Sequence, residues 1–425
     1  LTHLLNRVKS QSHVQLVESA RMLVAERTGM PSSDPNDLAL PDSGFSEFGR
    51  RVETLSGFQA QLAVTPSGSA ELSWFKPSGE RQKSVPAKVK RDHAVELRNL
   101  KAAVKDVKST LAKARDRLEF SPLERRSWSN EEWRERYFDH RVAGTVARRL
   151  LWRIAQGGAA AVAAFDGELL VDADGRTQEI SEEAQISVWH PLGSPAEEVL
   201  AWREWLEARE IRQPFKQAHR EVYILTDAER QCEVYSNRFA AHILKQSQFR
   251  ALAKARGWKA DYLGYWDGGD YGGATRKLPA WDLRAEFRTS AAADDFGEPG
   301  GSYYLATDQV RFYRVGSEEP LALCDVPPLP FSEIMRDVDL FVGVCSVGDA
   351  PTWNGGGPDG RHAAYWRNYA FGDLSESAAT RRAVLERLIP RLKIADRCSF
   401  SDRFLVVRGD LRTYRIHLGS SNVLM

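Results

Sequence analysis

A long amphipathic segment between residues 87 and 119 constrains the fold more than any other part of this chain. Its apolar side chains recur at steps of three and four residues, at Leu97, Leu100, Val104, Val107, Leu111, Ala114 and Leu118. This spacing places them on one stripe of an α-helix of about nine turns. Such a stripe must be buried against other elements, so the sequence predicts one long helix, Ala87–Glu119, that packs on a core through a heptad-like seam.

The same segment carries an excess of basic residues. From Arg81 to Glu119 there are 12 Lys and Arg residues against 5 Asp and Glu residues. One interpretation is a basic helix that binds nucleic acid or an acidic partner, with Lys101, Lys105 and Lys108 as candidate contacts. The alternative is an ordinary solvated helix face, because long cationic side chains are common on helix surfaces.

A second basic cluster lies near the C-terminus, in a predicted β-hairpin. Phe404–Val407 is a β-branched and aromatic run, Gly409-Asp410 is a turn signal, and an alternating run, Thr413–Leu418, follows. Since guanidinium groups match phosphate bidentately, the cations here could form an anion-binding face; they are Arg391, Lys393, Arg397, Arg408, Arg412 and Arg415. The alternative is an internal network with nearby aspartates.

The candidate catalytic residues are acidic side chains of the last third of the chain. A metal-dependent hydrolase or nuclease needs several carboxylates that converge on one point. The candidates are Asp337, Asp339, Asp396 and Asp410. Scattered acids are more often turn formers or arginine partners, and neither H-E-x-x-H nor a zinc pattern is present, so no metal site is predicted.

Two further stretches carry predictions of local structure. Thr226 to Gly257 reads as a helix that bends near Ser236. Further on, a short helix, Ser332–Asp337, is predicted to precede a buried strand, Leu340–Val344. Cys345 would end that strand and could be a nucleophile, although a small buried thiol is the simpler interpretation.

Composition limits the class of protein. At 425 residues the chain is too long for one ordinary core, and its net charge of +1 allows only a local basic patch. No apolar run approaches a membrane span, and four widely spaced cysteines favour reduced thiols in a cytoplasmic protein. The glycine-rich stretch Gly264–Gly273 lacks the spacing of a phosphate-binding loop, so no cofactor is predicted.

Short motifs that resemble one known family occur over nearly the whole chain. They are Leu23–Met30, His190–Leu192, Gln213–Phe215, Val222–Thr226, Arg238–Ala240, Arg256–Trp258, Ala274-Thr275, Ala285–Phe287, Ala306–Tyr313, Phe331–Gly343, Pro351–Trp353 and the C-terminal hairpin. Together they resemble bacterial proteins that carry domain of unknown function 4132, which include molybdate-metabolism-regulator-like proteins. Some such proteins carry a WGR module, but no Trp-Gly-Arg motif is present here, and Cys345 stands where the resemblance would place Ala.

The patterns and the resemblance together predict an α+β protein. We expect a helical N-terminal stub, a middle domain of β-meanders and long helices, and a C-terminal antiparallel sheet domain with one or two helices. Residues 1–45 would be the end of an upstream helical region plus a linker, 46–315 the domain-of-unknown-function 4132 core, and 316–425 the C-terminal α+β domain. Because the chain begins at Leu1 and stops within a strand-like pattern, we expect the C-terminal part of a longer polypeptide, with its last domain truncated.

The resemblance also suggests partners, but no activity. Similar proteins are often encoded beside MoxR-type AAA ATPases and von Willebrand A proteins, which implies membership of a multi-protein assembly. The leading hypothesis is a non-catalytic cytoplasmic scaffold or regulator that binds a protein partner or nucleic acid through its basic surfaces. The alternative is a metal-dependent hydrolase or nuclease with an Asp/Arg site in the C-terminal domain.

Overall fold

The computed structural model describes two compact units. The residues it describes are residue 40 and residues 43–262, 272–292, 304–347, 371–374, 376–410, 412–421 and 423–424. Unit 1 takes its described residues from Leu1–Glu119, Ser127–Trp189 and Trp205–Phe215, and unit 2 takes the remainder. The predicted N-terminal helical stub, up to residue 39, and most of the glycine-rich stretch Gly264–Gly273 lie outside the described residues.

Unit 1 is built from two antiparallel sheets and short and long helices. The first sheet is a meander of β1 (Arg50–Leu55), β2 (Phe58–Val64), β3 (Ala70–Phe75) and β4 (Arg81–Gln82). The second has the order β5-β9-β6-β7-β8, from β5 (Trp128–Ser129), β6 (Leu151–Gln156), β7 (Ala159–Phe165), β8 (Leu170–Val171) and β9 (Gln185–Val188). Its helices are α1 (Ala87–Asp92), α2 (Ala94–Phe120), α3 (Asn130–Trp133), the π-helix Arg134–Phe138 and α4 (Gly144–Ala147). The last residue of α2 belongs to unit 2, and a further helix, α5 (Ala196–Ala208), contributes residues to both units.

The long amphipathic segment forms two helices rather than the predicted one. His93 separates α1 from α2 with a non-helical backbone (φ −132°, ψ 46°), and its ring bonds the Ser56 hydroxyl at 2.9 Å. The predicted seam is confirmed along α2, where six of its seven residues are buried: Leu97, Leu100, Val107, Leu111, Ala114 and Leu118. Helical periodicity does not predict this break, because the contact of His93 with Ser56 is long-range.

Tryptophan rings fill the core that receives the C-terminal part of the α2 seam. Val107, Leu111 and Leu118 belong to the same buried cluster as Trp133 and Trp152. The Trp133 ring centroid lies 5.4 Å from that of Trp152 in an edge-to-face arrangement. The Trp152 indole also donates to the Ala147 carbonyl at 3.0 Å, so its polar edge is satisfied within the core. This packing fixes which side of α2 faces solvent.

Unit 2 also contains two antiparallel sheets. The first has the order β10-β14-β13-β12-β11, from β10 (Ile243–Lys245), β11 (Lys259–Ala260), β12 (Gly272–Leu278), β13 (Leu283–Ala291) and β14 (Tyr304–Arg314). The second follows chain order: β15 (Cys398–Phe400), β16 (Phe404–Arg408), β17 (Thr413–His417) and β18 (Val423–Leu424). The remaining helices are α6 (Asp227–Cys232), α7 (Gln246–Ala255), α8 (Pro328–Cys345) and α9 (Glu376–Leu388). The α+β class is thus confirmed, as is the C-terminal hairpin, whereas the limits at 45/46 and 315/316 stay predictions.

The predicted strand Leu340–Val344 is wrong, because α8 continues to Cys345. Within it, the Phe341 ring packs edge-to-face on Phe249 and Trp258, with centroids 5.4 and 5.6 Å apart. A short apolar run does not distinguish a buried strand from a buried helix. The helix predicted over residues 226–257 is likewise interrupted, since β10 pairs with β14 between α6 and α7. No helix among the described residues is long and apolar enough to cross a membrane.

Candidate functional site

Four cations on α2 form an exposed surface that we call the basic face. Its members are Arg98, Lys101, Lys105 and Lys108, and all four are exposed. At 100° and 1.5 Å per residue, they lie within about 80° of the helix circumference and about 15 Å of its length. The buried seam orients the helix, so the packing of unit 1 holds these side chains on its surface.

The charges of the basic face are not compensated within the described part of the chain. None of its four cations forms a hydrogen bond or ion pair with a described residue. Arg115, further along the same helix, instead pairs with Asp116 at 2.8 Å. An uncompensated row of cations attracts anions by its summed field and releases counterions from a polyanion that it contacts. The basic face is therefore suited to bind a polyanion.

The C-terminal cations are partly engaged by their own domain. Arg397 donates to Asp410 at 2.8 Å, with both side chains exposed, and Arg408 donates to the Asp396 carbonyl at 2.6 Å. The Arg415 guanidinium lies over the Phe404 ring, 4.6 Å from its centroid. The other three candidates, Arg391, Lys393 and Arg412, are exposed. An anion-binding face at this hairpin stays a prediction.

Asp337, the first candidate catalytic acid, is held in a buried ion network. Its carboxylate accepts hydrogen bonds from Arg256 Nε and Trp258 Nε1, each at 2.8 Å, and from Arg276 Nη1. The Asp337 side chain is fully buried, and both arginine side chains are about nine-tenths buried. A buried carboxylate that neutralises two arginines is a structural group, because its oxygens are occupied and it has no access to solvent.

The other candidate acids occupy different surroundings. Asp339, two positions further along α8, is buried in the wall of a cavity, whereas Asp396 and Asp410 are exposed near the C-terminal sheet. Among the described residues, no three His, Cys, Asp or Glu side chains are grouped so that they could hold a metal ion. The structure thus brings Asp410 to Arg397 and Asp396 to Arg408, but it does not assemble the acids into one described metal centre.

A second buried ion network on α8 was not identified from the sequence. Glu333 binds the Arg220 guanidinium through both oxygens and lies 3.1 Å from His190 Nε2. Burial alone would raise the pKa of Glu333, but the charge and hydrogen bonds of Arg220 hold it well below the ordinary value of 4.5. Burial lowers the pKa of His190, although the neighbouring Glu333 carboxylate acts to raise it. The sequence does carry a signal, because four charged residues, Glu333, Arg336, Asp337 and Asp339, interrupt a largely apolar segment.

Cys345, the candidate nucleophile, is fully buried at the end of α8. Burial raises the pKa of its thiol to about 12. The thiolate is the reactive form of cysteine, so this thiol stays protonated and unreactive at neutral pH. The geometry agrees with the interpretation of Cys345 as a small core residue.

Comparisons with known proteins support the resemblance in part. Residues 79–258 match the sequence model of a domain of unknown function, DUF4132, and residues 378–425 match that of a second, DUF7737. The chain is 25% identical over 239 residues to the uncharacterized protein YehI of Escherichia coli (strain K12), a match that covers 54% of this chain and 20% of that protein. The chain therefore spans only about a fifth of this relative. No solved structure gives a significant match.

The structural assignment of Asp337 is testable by substitution. Asp337→Asn would leave two buried arginines without a counter-charge, so we expect the free energy of unfolding of unit 2 to fall by about 3–5 kcal/mol. Asp410→Asn is the control, since its ion pair with Arg397 is exposed, and it should cost less than about 1 kcal/mol. Urea unfolding followed by tryptophan fluorescence measures both. Equal stability of the two variants would contradict a structural role for Asp337.

The Glu333 network predicts a pH dependence of stability. A carboxyl group whose pKa is lower in the folded protein stabilises the fold fully above its unfolded pKa, and this stabilisation disappears as pH falls towards the folded pKa. The difference in free energy of unfolding between the wild type and Glu333→Gln should be constant above about pH 5 and narrow below it by up to about 1.4 kcal/mol per pH unit.

Urea unfolding at pH 7, 5, 4 and 3 measures this difference. Glu318→Gln is the control, because the Glu318 side chain is 93% exposed, and it should follow the wild type at every pH. A difference between the wild type and Glu333→Gln that stays constant down to pH 3 would contradict the effect of Arg220 on this carboxylate.

Proposed function

We propose that this chain is a non-catalytic interaction region that binds nucleic acid through the basic face of α2. The observation that carries the proposal is the exposure of Arg98, Lys101, Lys105 and Lys108 on one flank of a helix, without partners among the described residues. By contrast, the buried cations Arg256 and Arg276 are paired with Asp337. A row of uncompensated cations is typical of a surface that binds a polyanion.

The fixed position of α2 also makes the basic face suitable for binding nucleic acid. The buried seam fixes the helix on unit 1, so binding does not require the backbone to become ordered. Duplex DNA presents one charge per about 1.7 Å of axis, and the basic face is about 15 Å long, so four phosphates lie within its reach. The contacts would be to phosphates and hence independent of base sequence.

An acidic protein surface is the competing ligand for the same face. This alternative includes the partners expected from the resemblance, which are MoxR-type AAA ATPases and von Willebrand A proteins. It also includes a regulatory role in a cytoplasmic assembly, as expected for a relative of molybdate-metabolism regulators and WGR-associated proteins. Nucleic acid is preferred here because a row of evenly spaced cations suits a uniform line of charge better than a mixed protein surface does.

A metal-dependent hydrolase or nuclease receives less support. Its site would need Asp337, whose two oxygens are bound by Arg256, Arg276 and Trp258. An acid held in this way is not available to coordinate a metal or to activate water.

The proposal predicts the salt dependence of binding to a fluorescent 20-base-pair DNA duplex. Four phosphate contacts give a slope of log K against log[salt] of about −3.6, so affinity should fall about 100-fold between 50 and 200 mM salt. Lys105→Gln alone should reduce the slope by about 1, and the fourfold Gln variant of the basic face should lose measurable binding. Fluorescence anisotropy at several salt concentrations measures these slopes.

The matched control removes the same charge elsewhere on unit 1. Lys76, Arg153, Arg176 and Arg212 are exposed cations outside α2, and their fourfold replacement by Gln should leave most of the slope intact. Equal loss in the two fourfold variants would show that net charge alone drives binding and would contradict a defined surface. Absence of binding by the wild type at 50 mM salt would exclude nucleic acid and leave the acidic-protein alternative.

A further inference from the structure

Three large aliphatic side chains lie together on the surface of unit 2, from the end of α9 towards β15. Leu388 is 44% exposed, Leu392 is 41% exposed and Ile394 is 47% exposed. Their segment runs through 3₁₀ turns at Ile389–Arg391 and Ala395–Arg397. Such turns rise about 2 Å per residue, so the three side chains start within about 12 Å of one another. Single exposed aliphatic residues are ordinary, but a cluster of them is typical of an interaction site. We call these three residues the aliphatic patch.

The backbone of the aliphatic patch is fixed on its domain. Ile389 is buried, so the chain exposes Leu388 and buries the next residue. The Leu392 amide donates to the Ile389 carbonyl at 2.9 Å, and the Ala395 amide donates to the Leu392 carbonyl at 3.0 Å. The patch is thus part of the folded surface, and its contact with water is unfavourable unless another apolar phase covers it.

Basic side chains alternate with the aliphatic residues. Segment 387–397 contains four Lys and Arg residues and one acidic residue, Asp396. Arg391 and Lys393 lie on either side of Leu392 in the sequence, and both are exposed. The aliphatic stems of such cations pack on apolar surroundings while their charged ends stay in polar ones. Apolar side chains and cations therefore follow each other along the surface of this segment.

Contacts with neighbouring residues leave this surface positively charged. The Arg408 guanidinium, from β16, donates to the Asp396 carbonyl at 2.6 Å and adds a fifth cation. Arg397 donates to the Asp410 carboxylate at 2.8 Å, which adds a second acid. Five cations thus stand against two acids, and their summed field attracts a negatively charged partner.

The combination of aliphatic side chains and cations fits the surface of a lipid bilayer. An interfacial segment places its apolar side chains at the boundary of headgroups and acyl chains, and its Lys and Arg residues meet anionic headgroups. Each such cation strengthens binding about fivefold. Protein interfaces are instead enriched in Tyr, Trp, Phe and Met and depleted in Lys. Segment 387–397 contains none of those four enriched types, so a lipid surface is the better match.

We propose that segment 387–397 docks unit 2 on a membrane surface that contains anionic lipids. The aliphatic patch inserts below the headgroups, while Arg391, Lys393 and Arg408 contact their phosphates. Since the turns of this segment are already ordered, docking does not require the backbone to fold. None of these residues belongs to the basic face, so the membrane contact is a second interaction of this chain.

Vesicle flotation of the full chain tests the proposal, with vesicles of phosphatidylcholine alone or with about one quarter phosphatidylglycerol. Binding to the anionic vesicles should be at least about tenfold stronger than binding to the neutral ones. The double variant Leu392→Ser and Ile394→Ser should weaken binding to anionic vesicles at least about tenfold, because its side chains bury less hydrocarbon in the bilayer. Lys393→Gln should weaken this binding about fivefold.

Matched variants separate insertion of the patch from general effects. Leu200 and Ile224 are exposed aliphatic residues of unit 2 outside the patch, so Leu200→Ser and Ile224→Ser together should leave vesicle binding unchanged. Lys277 is an exposed cation of β12, and Lys277→Gln should likewise have no effect. The fourfold Gln variant of the basic face should keep most of its vesicle binding, which distinguishes this site from the surface on α2.

Absence of binding to anionic vesicles would overturn the proposal, as would equal loss in the two double variants. Binding that survives the replacement of Leu392 and Ile394 would show adsorption by charge alone and would exclude insertion. Sedimentation velocity tests the competing partner, a second copy of this chain. Self-association that Leu392→Ser and Ile394→Ser abolish, without vesicle binding by the wild type, would assign the patch to a protein interface instead.

Discussion

Two buried carboxylates on α8 hold the core of unit 2 to arginines from other segments. Asp337 binds Arg256, just after α7, and Arg276 of β12, while Glu333 binds Arg220. Removing one member of such a pair leaves an unpaired charge in the interior, which costs more than an exposed pair contributes. The orientation of α8, and with it the wall of the cavity, therefore depends on these ion pairs.

The same principle separates structural charges from those available to a ligand. Asp337, a candidate acid of α8 for a hydrolase site, is occupied by Arg256 and Arg276, and the nearby Glu333 is occupied by Arg220. The cations of the basic face have no described counter-charge and remain in water, where they cost little. Unpaired charge is tolerated at the surface, which is why we place the proposed interaction surface on α2.

Local periodicity in the sequence predicted some elements of the fold but not others. Apolar residues at steps of three and four predicted the seam of α2, and alternation at steps of two predicted the hairpin of β16 and β17. The interruption at β10, the full length of α8 and the partners of Asp337 did not, because they depend on residues 59 or more positions away. Of the charged groups, the lysines of α2 were recognised by local charge, whereas the ion pair of Glu333 with Arg220 joins residues 113 positions apart and was not.

The measurement that tests the account most directly is acetylation footprinting of lysines with and without a 20-base-pair DNA duplex. Mass spectrometry reads the modification of each lysine separately, so it locates the contact as well as detecting it. We expect protection of Lys101, Lys105 and Lys108 at low salt, with Lys76 and Lys393 modified equally in both samples. Protection of Lys393 without protection of the α2 lysines, or no protection at all, would contradict it.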